Sequence, residues 1–171
     1  FNGDGFLNTA DLQITVEGLT SFHSNDINAI VTAGTGGDTL TGGNGDDSIT
    51  GGADADSLYG GYGNDTMAGA AGGDKIYGQG GNDTLTSTSG DSTVDGGAGT
   101  DTLSFTEDAT ITISNTDLHN LKNIEVIEFD GNNTANITLD DSFFTSNGST
   151  SIKIKDMETT AALTVSAATV T

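Results

Sequence analysis

The sequence has 171 residues, with four Lys, no Arg and 25 Asp plus Glu, for a formal charge of −21. Nucleic acid and anionic membrane are excluded as partners, because both need clustered Lys and Arg. Disulfides and thiolate metal sites are excluded by the absence of Cys, a zinc site is opposed by the sequence distance between His23 and His119, and no apolar run reaches spanning length.

The opening FNGDGFLNTAD fits a twelve-residue calcium loop that lacks its first ligand. With Asn2 at place 3, Asp4 falls at 5, Gly5 at 6, Asn8 at 9 and Asp11 at 12, where the usual residue is a bidentate Glu. The competing reading is a polar turn with an N-cap. No basic segment with an apolar core begins the chain, so it is expected to be an internal piece or to be exported without an N-terminal signal. From Leu12 to Val31 the apolar residues Ile14, Val16, Ile27, Ile30 and Val31 predict short strands and a turn. Residues 1–32 thus form an approach or cap that covers the first coil of a repeating segment beginning at residue 33.

Residues 33–104 divide without remainder into eight nonapeptides: AGTGGDTLT, GGNGDDSIT, GGADADSLY, GGYGNDTMA, GAAGGDKIY, GQGGNDTLT, STSGDSTVD and GGAGTDTLS. Place six is Asp in seven of them, Asp38, Asp47, Asp56, Asp65, Asp74, Asp83 and Asp101, with Ser92 the exception. Place eight is aliphatic or Met in all eight: Leu40, Ile49, Leu58, Met67, Ile76, Leu85, Val94 and Leu103. An acidic chain poor in aromatics could be disordered, but disorder does not hold an apolar position in phase over such a distance. The first six places predict a glycine-rich turn and the last three a short strand with its middle side chain inward. One nonapeptide makes half a coil, so two make a full turn, and four coils at a strand spacing of about 4.8 Å give a rod of roughly 19 Å.

Alternate repeats then share an edge. One edge carries Asp38, Asp56, Asp74 and Ser92, and the other Asp47, Asp65, Asp83 and Asp101. Carboxylates stacked at strand spacing repel one another, and a hard dication between successive pairs converts that repulsion into ligation. Paired Asp oxygens with turn carbonyls make an all-oxygen site, which suits Ca²⁺ over Zn²⁺ or Mg²⁺. Five or six ions are expected, because the Asp74–Ser92 interval lacks one carboxylate, with one more conceivable at the N-terminal loop.

The pattern GGxGxDx-apolar-x resembles the repeats-in-toxin (RTX) calcium-binding nonapeptide. The resemblance implies a right-handed parallel β-roll in which each Ca²⁺ is held by place-six Asp residues of repeats n and n+2 and by turn carbonyls. It also implies bacterial type I export, with folding delayed until external calcium is met. Asp54 at place four, Ala70 and Gln79 at place two, and the seventh repeat depart from the pattern.

The outward strand places differ between the two sides. Even-numbered repeats present Ser48/Thr50, Thr66/Ala68, Thr84/Thr86 and Thr102/Ser104, a flat uncharged face. Odd-numbered ones present Thr39/Thr41, Ser57/Tyr59, Lys75/Tyr77 and Thr93/Asp95. Such residues suit exposed strands in any case; the sharper reading is lateral packing against another copy or a surface.

In residues 105–171 the glycines thin out, while apolar pairs recur at Ile111/Ile113, Ile127/Phe129, Ile137/Leu139, Ile152/Ile154 and Leu163/Val165. Spacings of 26 and 25 residues predict the same two-strand coil made wider, a parallel β-helix with short helical turns near Thr116–Leu121 and Asp141–Phe144. An antiparallel sandwich is the alternative. The stretch NLKNIEVIEFDGNNTANITL is similar to segments that follow RTX repeats in large bacterial surface proteins, including adhesins and surface-layer proteins.

The fold class expected is therefore all-β: a calcium-bound parallel β-roll continuing into a wider β-solenoid. No nucleophile elbow, HExxH or paired-acid motif is present, so no enzymatic role is expected of this segment. The functional expectation is an extracellular structural segment of a bacterial surface-layer protein or adhesin, which folds and assembles on external calcium. A non-catalytic roll of a secreted hydrolase and an ice- or polysaccharide-binding module are the alternatives.

Overall fold

A computed structural model of the chain describes residues 12–15, 22–23, 28–88, 91–105, 110–113, 120–129, 134–139, 153–156 and 163–167. The truncated N-terminal loop with Asn2, Asp4, Asn8 and Asp11 lies outside them, as do residues 116–119 of the first expected helical turn and all of the second, 141–144.

Glycine-rich nonapeptides cannot bury much surface alone, so each strand gains its partner from the coil beside it. In the repeats the strands are β4 (Thr39–Gly43), β5 (Ser48–Gly52), β6 (Ser57–Tyr62), β7 (Thr66–Ala70), β8 (Lys75–Gly80), β9 (Thr84–Thr86), β10 (Thr93–Ala98) and β11 (Thr102–Phe105). Most run five or six residues rather than the expected three, because pairing continues through the first two glycine places, as at Gly43↔Gly61. Successive strands alternate between two sheets, and within each sheet neighbours are parallel and 18 residues apart: Leu40↔Leu58 on one side, Ile49↔Met67 on the other.

The stacking begins before residue 33. Strands β1 (Leu12–Thr15), β2 (Phe22–His23) and β3 (Ala29–Thr32) precede the repeats. β3 pairs with β5 at Val31↔Ile49, so residues 29–32 follow the nonapeptide register with Ala29 in the Asp place. β2 pairs with β4 at Phe22↔Leu40, and β1 pairs with β3 at Ile14↔Val31. These three strands of the approach segment therefore extend the two sheets of the roll.

Past the repeats the coil widens. Strands β12 (Thr110–Ile113), β13 (Leu121–Lys122), β14 (Val126–Phe129), β15 (Thr134–Leu139), β16 (Lys153–Asp156) and β17 (Leu163–Ala167) follow. The larger sheet runs β1-β3-β5-β7-β9-β11-β14-β16, and the second, β13-β10-β8-β6-β4-β2, ends at β13. β12, β15 and β17 form a third, three-stranded sheet and β14 and β16 extend the larger one, the grouping expected of the five apolar pairs, while β13 adds a strand that the two-strand unit does not include. The register also differs from the expected one: Ile113, not Ile111, pairs with Ile137, and Ile137 with Val165. The shift is two residues, which keeps the pleat in phase, so an alternating pattern alone does not fix it. Leu121, expected in a helical turn, is in β13. Every strand pairing is parallel, which rules out the antiparallel sandwich for the described strands.

The core is two files of aliphatic side chains facing one another. Val31, Ile49, Met67, Leu85, Leu103 and Ile127 come from the larger sheet, and Leu40, Leu58, Ile76, Val94 and Leu121 from the second, all buried. Phe129 is buried at the wide end and stacks on Phe105 with ring centroids 5.4 Å apart. On the outer face of the second sheet Tyr59 and Tyr77 stack at 5.0 Å, as expected of residues one coil apart. The Ser/Thr face of the larger sheet gives way, past Ser104, to Glu128 and Lys155, which form an ion pair at 3.4 Å.

Candidate metal centre

The seven place-six aspartates sit at the turns between the two sheets, and all are buried, with residue exposures from 0 to 5%. Burial of a carboxylate needs compensation, and the turn supplies half of it. In Asp47, Asp56, Asp65, Asp74, Asp83 and Asp101 one oxygen accepts the backbone N–H of the residue at place six one coil earlier. Asp38 donates to Asp56 Oδ1 at 2.7 Å, Asp47 to Asp65 at 2.8 Å, Asp56 to Asp74 at 2.8 Å, Asp65 to Asp83 at 2.8 Å and Asp83 to Asp101 at 2.9 Å. The ladder starts at Ala29, whose N–H reaches Asp47 Oδ1 at 2.7 Å. In return, the place-six carbonyl accepts the next N–H of the following coil, as from Thr66 to Asp47 at 2.8 Å. The sequence groups the residues into two edges, and the bonds join them in those groups.

The other oxygen, Oδ2, has no hydrogen-bond partner in any of the seven. In all but Asp38, whose repeat begins with Ala33, it turns toward the place-one glycine of its own repeat. A Cβ at Gly51 would stand 2.6 Å from both Asp56 Oδ2 and the Gly69 carbonyl, and Gly42, Gly60 and Gly78 hold a carboxylate and a carbonyl against them in the same way. A carboxylate oxygen and a carbonyl of the next coil thus converge with no donor between them. Two or more such oxygens in a buried, donor-free cradle fit a hard oxygen-seeking cation. Among the described residues there is no cluster of three His, Cys, Asp or Glu side chains, so such a site would draw its remaining ligands from neutral oxygens, the turn carbonyls or water.

The electrostatics agree with that fit. Burial, with the neighbouring carboxylates adding to it, pushes Asp65 up to about 7 and Asp74 and Asp101 up to about 6, against the backbone N–H bonds that lower them. Asp47, Asp56 and Asp83 are raised by burial as well. Without a cation these groups are driven toward protonation.

Three features of the edges escape the nonapeptide pattern. At the seventh repeat, Asp91 takes up the ladder one residue before Ser92, accepting the Asp74 N–H at 3.3 Å. The expectation of a missing carboxylate is corrected to that extent. However, Asp91 Oδ2 is not free like the others: it accepts Ser87 Oγ at 2.7 Å and the Thr88 N–H at 2.9 Å. Ser92 instead donates its hydroxyl to the Asp74 carbonyl at 3.0 Å. This rung is closed by hydrogen bonds. At the end of the other edge, Glu125 Oε2 accepts the Asp101 N–H at 2.9 Å.

The third feature is a ladder at place five of the even edge. Asp46 donates its N–H to Asn28 Oδ1 at 3.0 Å, Asn64 to Asp46 at 2.7 Å, Asn82 to Asn64 at 2.8 Å and Thr100 to Asn82 at 2.8 Å. Its bonds run opposite to those of the aspartate ladder, and its signal in the sequence is Asn or Asp recurring every 18 residues at place five. The non-glycine departures also have a cost: Asp54, Ala70 and Gln79 hold φ of 79, 71 and 76°, where an L residue is strained by about 1 kcal/mol. Asp54 offsets part of it by accepting the Gly36 N–H at 2.9 Å.

The family model of the RTX calcium-binding nonapeptide repeat matches this chain in five overlapping stretches, 25–58, 32–67, 44–76, 59–94 and 77–109. Its first stretch starts ahead of Ala33, in keeping with the register of β3. No curated protein matches the chain significantly, and neither does any solved structure.

Proposed function

Through residues 25–109 this chain belongs to the RTX calcium-binding nonapeptide repeat family, and we propose that it is a non-catalytic structural segment of a secreted bacterial cell-surface protein, a surface layer or an adhesin, set into its fold by external Ca²⁺. The observation that carries this reading is the row of buried, partnerless Oδ2 oxygens, of which those of Asp47, Asp56, Asp65, Asp83 and Asp101 share a glycine cradle with a carbonyl of the next coil. When bound, calcium supplies the positive charge those oxygens lack.

The ligands are the place-six aspartates in the intervals Asp38–Asp56, Asp56–Asp74, Asp47–Asp65, Asp65–Asp83 and Asp83–Asp101, with turn carbonyls completing each shell. Ions in these five intervals would bring the formal charge from −21 to about −11. Extracellular calcium modules bind at about 10⁻⁴–10⁻³ M, and a site at tenfold its dissociation constant adds roughly 1.4 kcal/mol. The sum over five, about 7 kcal/mol, is comparable to the net stability of a domain. Inside a cell, where free calcium is far below those constants, the same carboxylates repel and hold the roll open. The continuation of the larger sheet into β14 and β16 supports a longer solenoid rather than a closed roll. The uncharged Ser/Thr face, including Thr66 and Thr84, is the surface for lateral packing against another copy.

Titration calorimetry tests the binding. About five Ca²⁺ should bind the chain in the submillimolar range, and Mg²⁺ should not replace them. Light scattering tests the assembly: Thr66→Lys with Thr84→Lys should abolish calcium-dependent self-association while leaving calcium binding intact. Association that survives both changes removes this face from the account.

A further inference from the structure

We propose that Asp101 and Glu125 form an additional Ca²⁺ site at the junction of the roll with the first wide coil, Glu125 lying beyond the nonapeptides and the stretch matched by the family model. The proposal rests on the calcium reading of the roll given above. The pairing Thr102↔Val126 sets Glu125 in the place-six position of the coil after Asp101, although the sequence separation is 24 residues instead of 18. Glu125 occupies that position chemically as well, since Oε2 accepts the Asp101 N–H at 2.9 Å, the bond that Asp65, Asp83 and Asp101 make along the same edge. Asp101 itself is fully buried, and its Oδ2 has no partner.

The opposing carbonyl is also in place. The pairing Asp95↔Lys122 puts Asn123 where the place-one glycine would be. A Cβ at Gly96 would meet both Asp101 Oδ2 and the Asn123 carbonyl, the same two kinds of oxygen found against Gly51, Gly60 and Gly78. Between the two key positions the roll spends residues 96–101, but the wide coil spends only 123–125. Asn123 makes the tighter turn with φ 50°, and the extra methylene of Glu over Asp restores the reach that the shorter turn removes. A site here ties the wide coil to the calcium switch, so that both segments order together.

Counting bound Ca²⁺ at saturation by equilibrium dialysis of the whole chain tests this. Glu125→Gln keeps an acceptor for the Asp101 N–H while losing the charge, and it should bind one ion fewer than the parent. A second comparison does not depend on that variant folding. Asp47 and Asp101 are the first and last place-six aspartates of one edge, and among the described residues Asp47 faces Ala29, which has no carboxylate, on its outer side. Asp47→Asn should therefore cost one ion and Asp101→Asn two. An unchanged count in Glu125→Gln, or equal losses in the two Asn variants, overturns the proposal and leaves Glu125 as a hydrogen-bond acceptor only. A parent chain that binds no calcium overturns the reading of the roll as well, which separates the two failures.

Discussion

The two turn edges of the roll have the same period but unequal continuity. On one, Ala29, Asp47, Asp65, Asp83, Asp101 and Glu125 succeed one another with amide-to-carboxylate bonds of 2.7–2.9 Å throughout. On the other, bonds of 2.7 and 2.8 Å along Asp38, Asp56 and Asp74 give way to one of 3.3 Å at Asp91. Only the first edge carries the place-five ladder of Asn28, Asp46, Asn64 and Asn82; the second has Gly37, Ala55 and Gly73 there. One edge is thus stitched at two positions per turn and runs on into the wide coil. The other is joined at place six, with a place-four bond from Gly36 to Asp54 beside it, and ends in a hydrogen-bonded plug.

The largest expected effect comes from unequal numbers of calcium intervals. Asp65 lies between two open carboxylates, Asp47 and Asp83, whereas Asp74 has Asp56 on one side and the occupied Asp91 on the other. Asp65→Asn should lower stability in calcium by about 3 kcal/mol and Asp74→Asn by about half as much, measured by denaturant unfolding. Equal losses would mean that the Asp91 rung binds an ion after all.

Protons should partly stand in for calcium. Asp65 is raised from an ordinary value of 3.8 to about 7, so the calcium-free fold holds a proton that the unfolded chain has released over that interval. The resulting stability is complete below the unfolded value and is lost as pH rises through about 7. In chelator, lowering the pH from about 8 to about 5 should therefore raise the β signal; with calcium present, the same change should weaken binding. Asp101 on the same edge and Asp74 on the other, both near 6, follow at lower pH. A calcium-free chain whose β content is flat over this range would contradict the burial assigned to these groups.

The smallest effect belongs to the place-five ladder. Asn82→Ala removes the acceptor for the Thr100 N–H at 2.8 Å on an exposed turn, a loss of about 1 kcal/mol that should appear in unfolding with the calcium count unchanged. A change in that count would make this ladder part of the metal shell.

Much of this was legible in the sequence, because a repeat that holds one apolar and one acidic place in phase leaves few other ways to bury the first and use the second. Leu58 and Asp65 are where their places in the nonapeptide put them. What the pattern could not give is whatever breaks its own period. Asp91 is one residue out of phase, Glu125 lies outside the nonapeptides, and Ala29 has lost the carboxylate, yet backbone pairing sets all three in the same ladders. Register in the wide coils escaped for a related reason. A two-residue slip from Ile111 to Ile113 leaves the alternation unchanged, so only the length of the turns decides between them.

The proposed function stands or falls on whether calcium between the aspartates, rather than the aliphatic files alone, holds the roll closed. Far-ultraviolet circular dichroism of the whole chain at neutral pH, in chelator and then after adding Ca²⁺ or Mg²⁺, decides between the two. The β signal should be lost in chelator and should return with Ca²⁺ but not with Mg²⁺. Full β content in chelator would contradict the proposal.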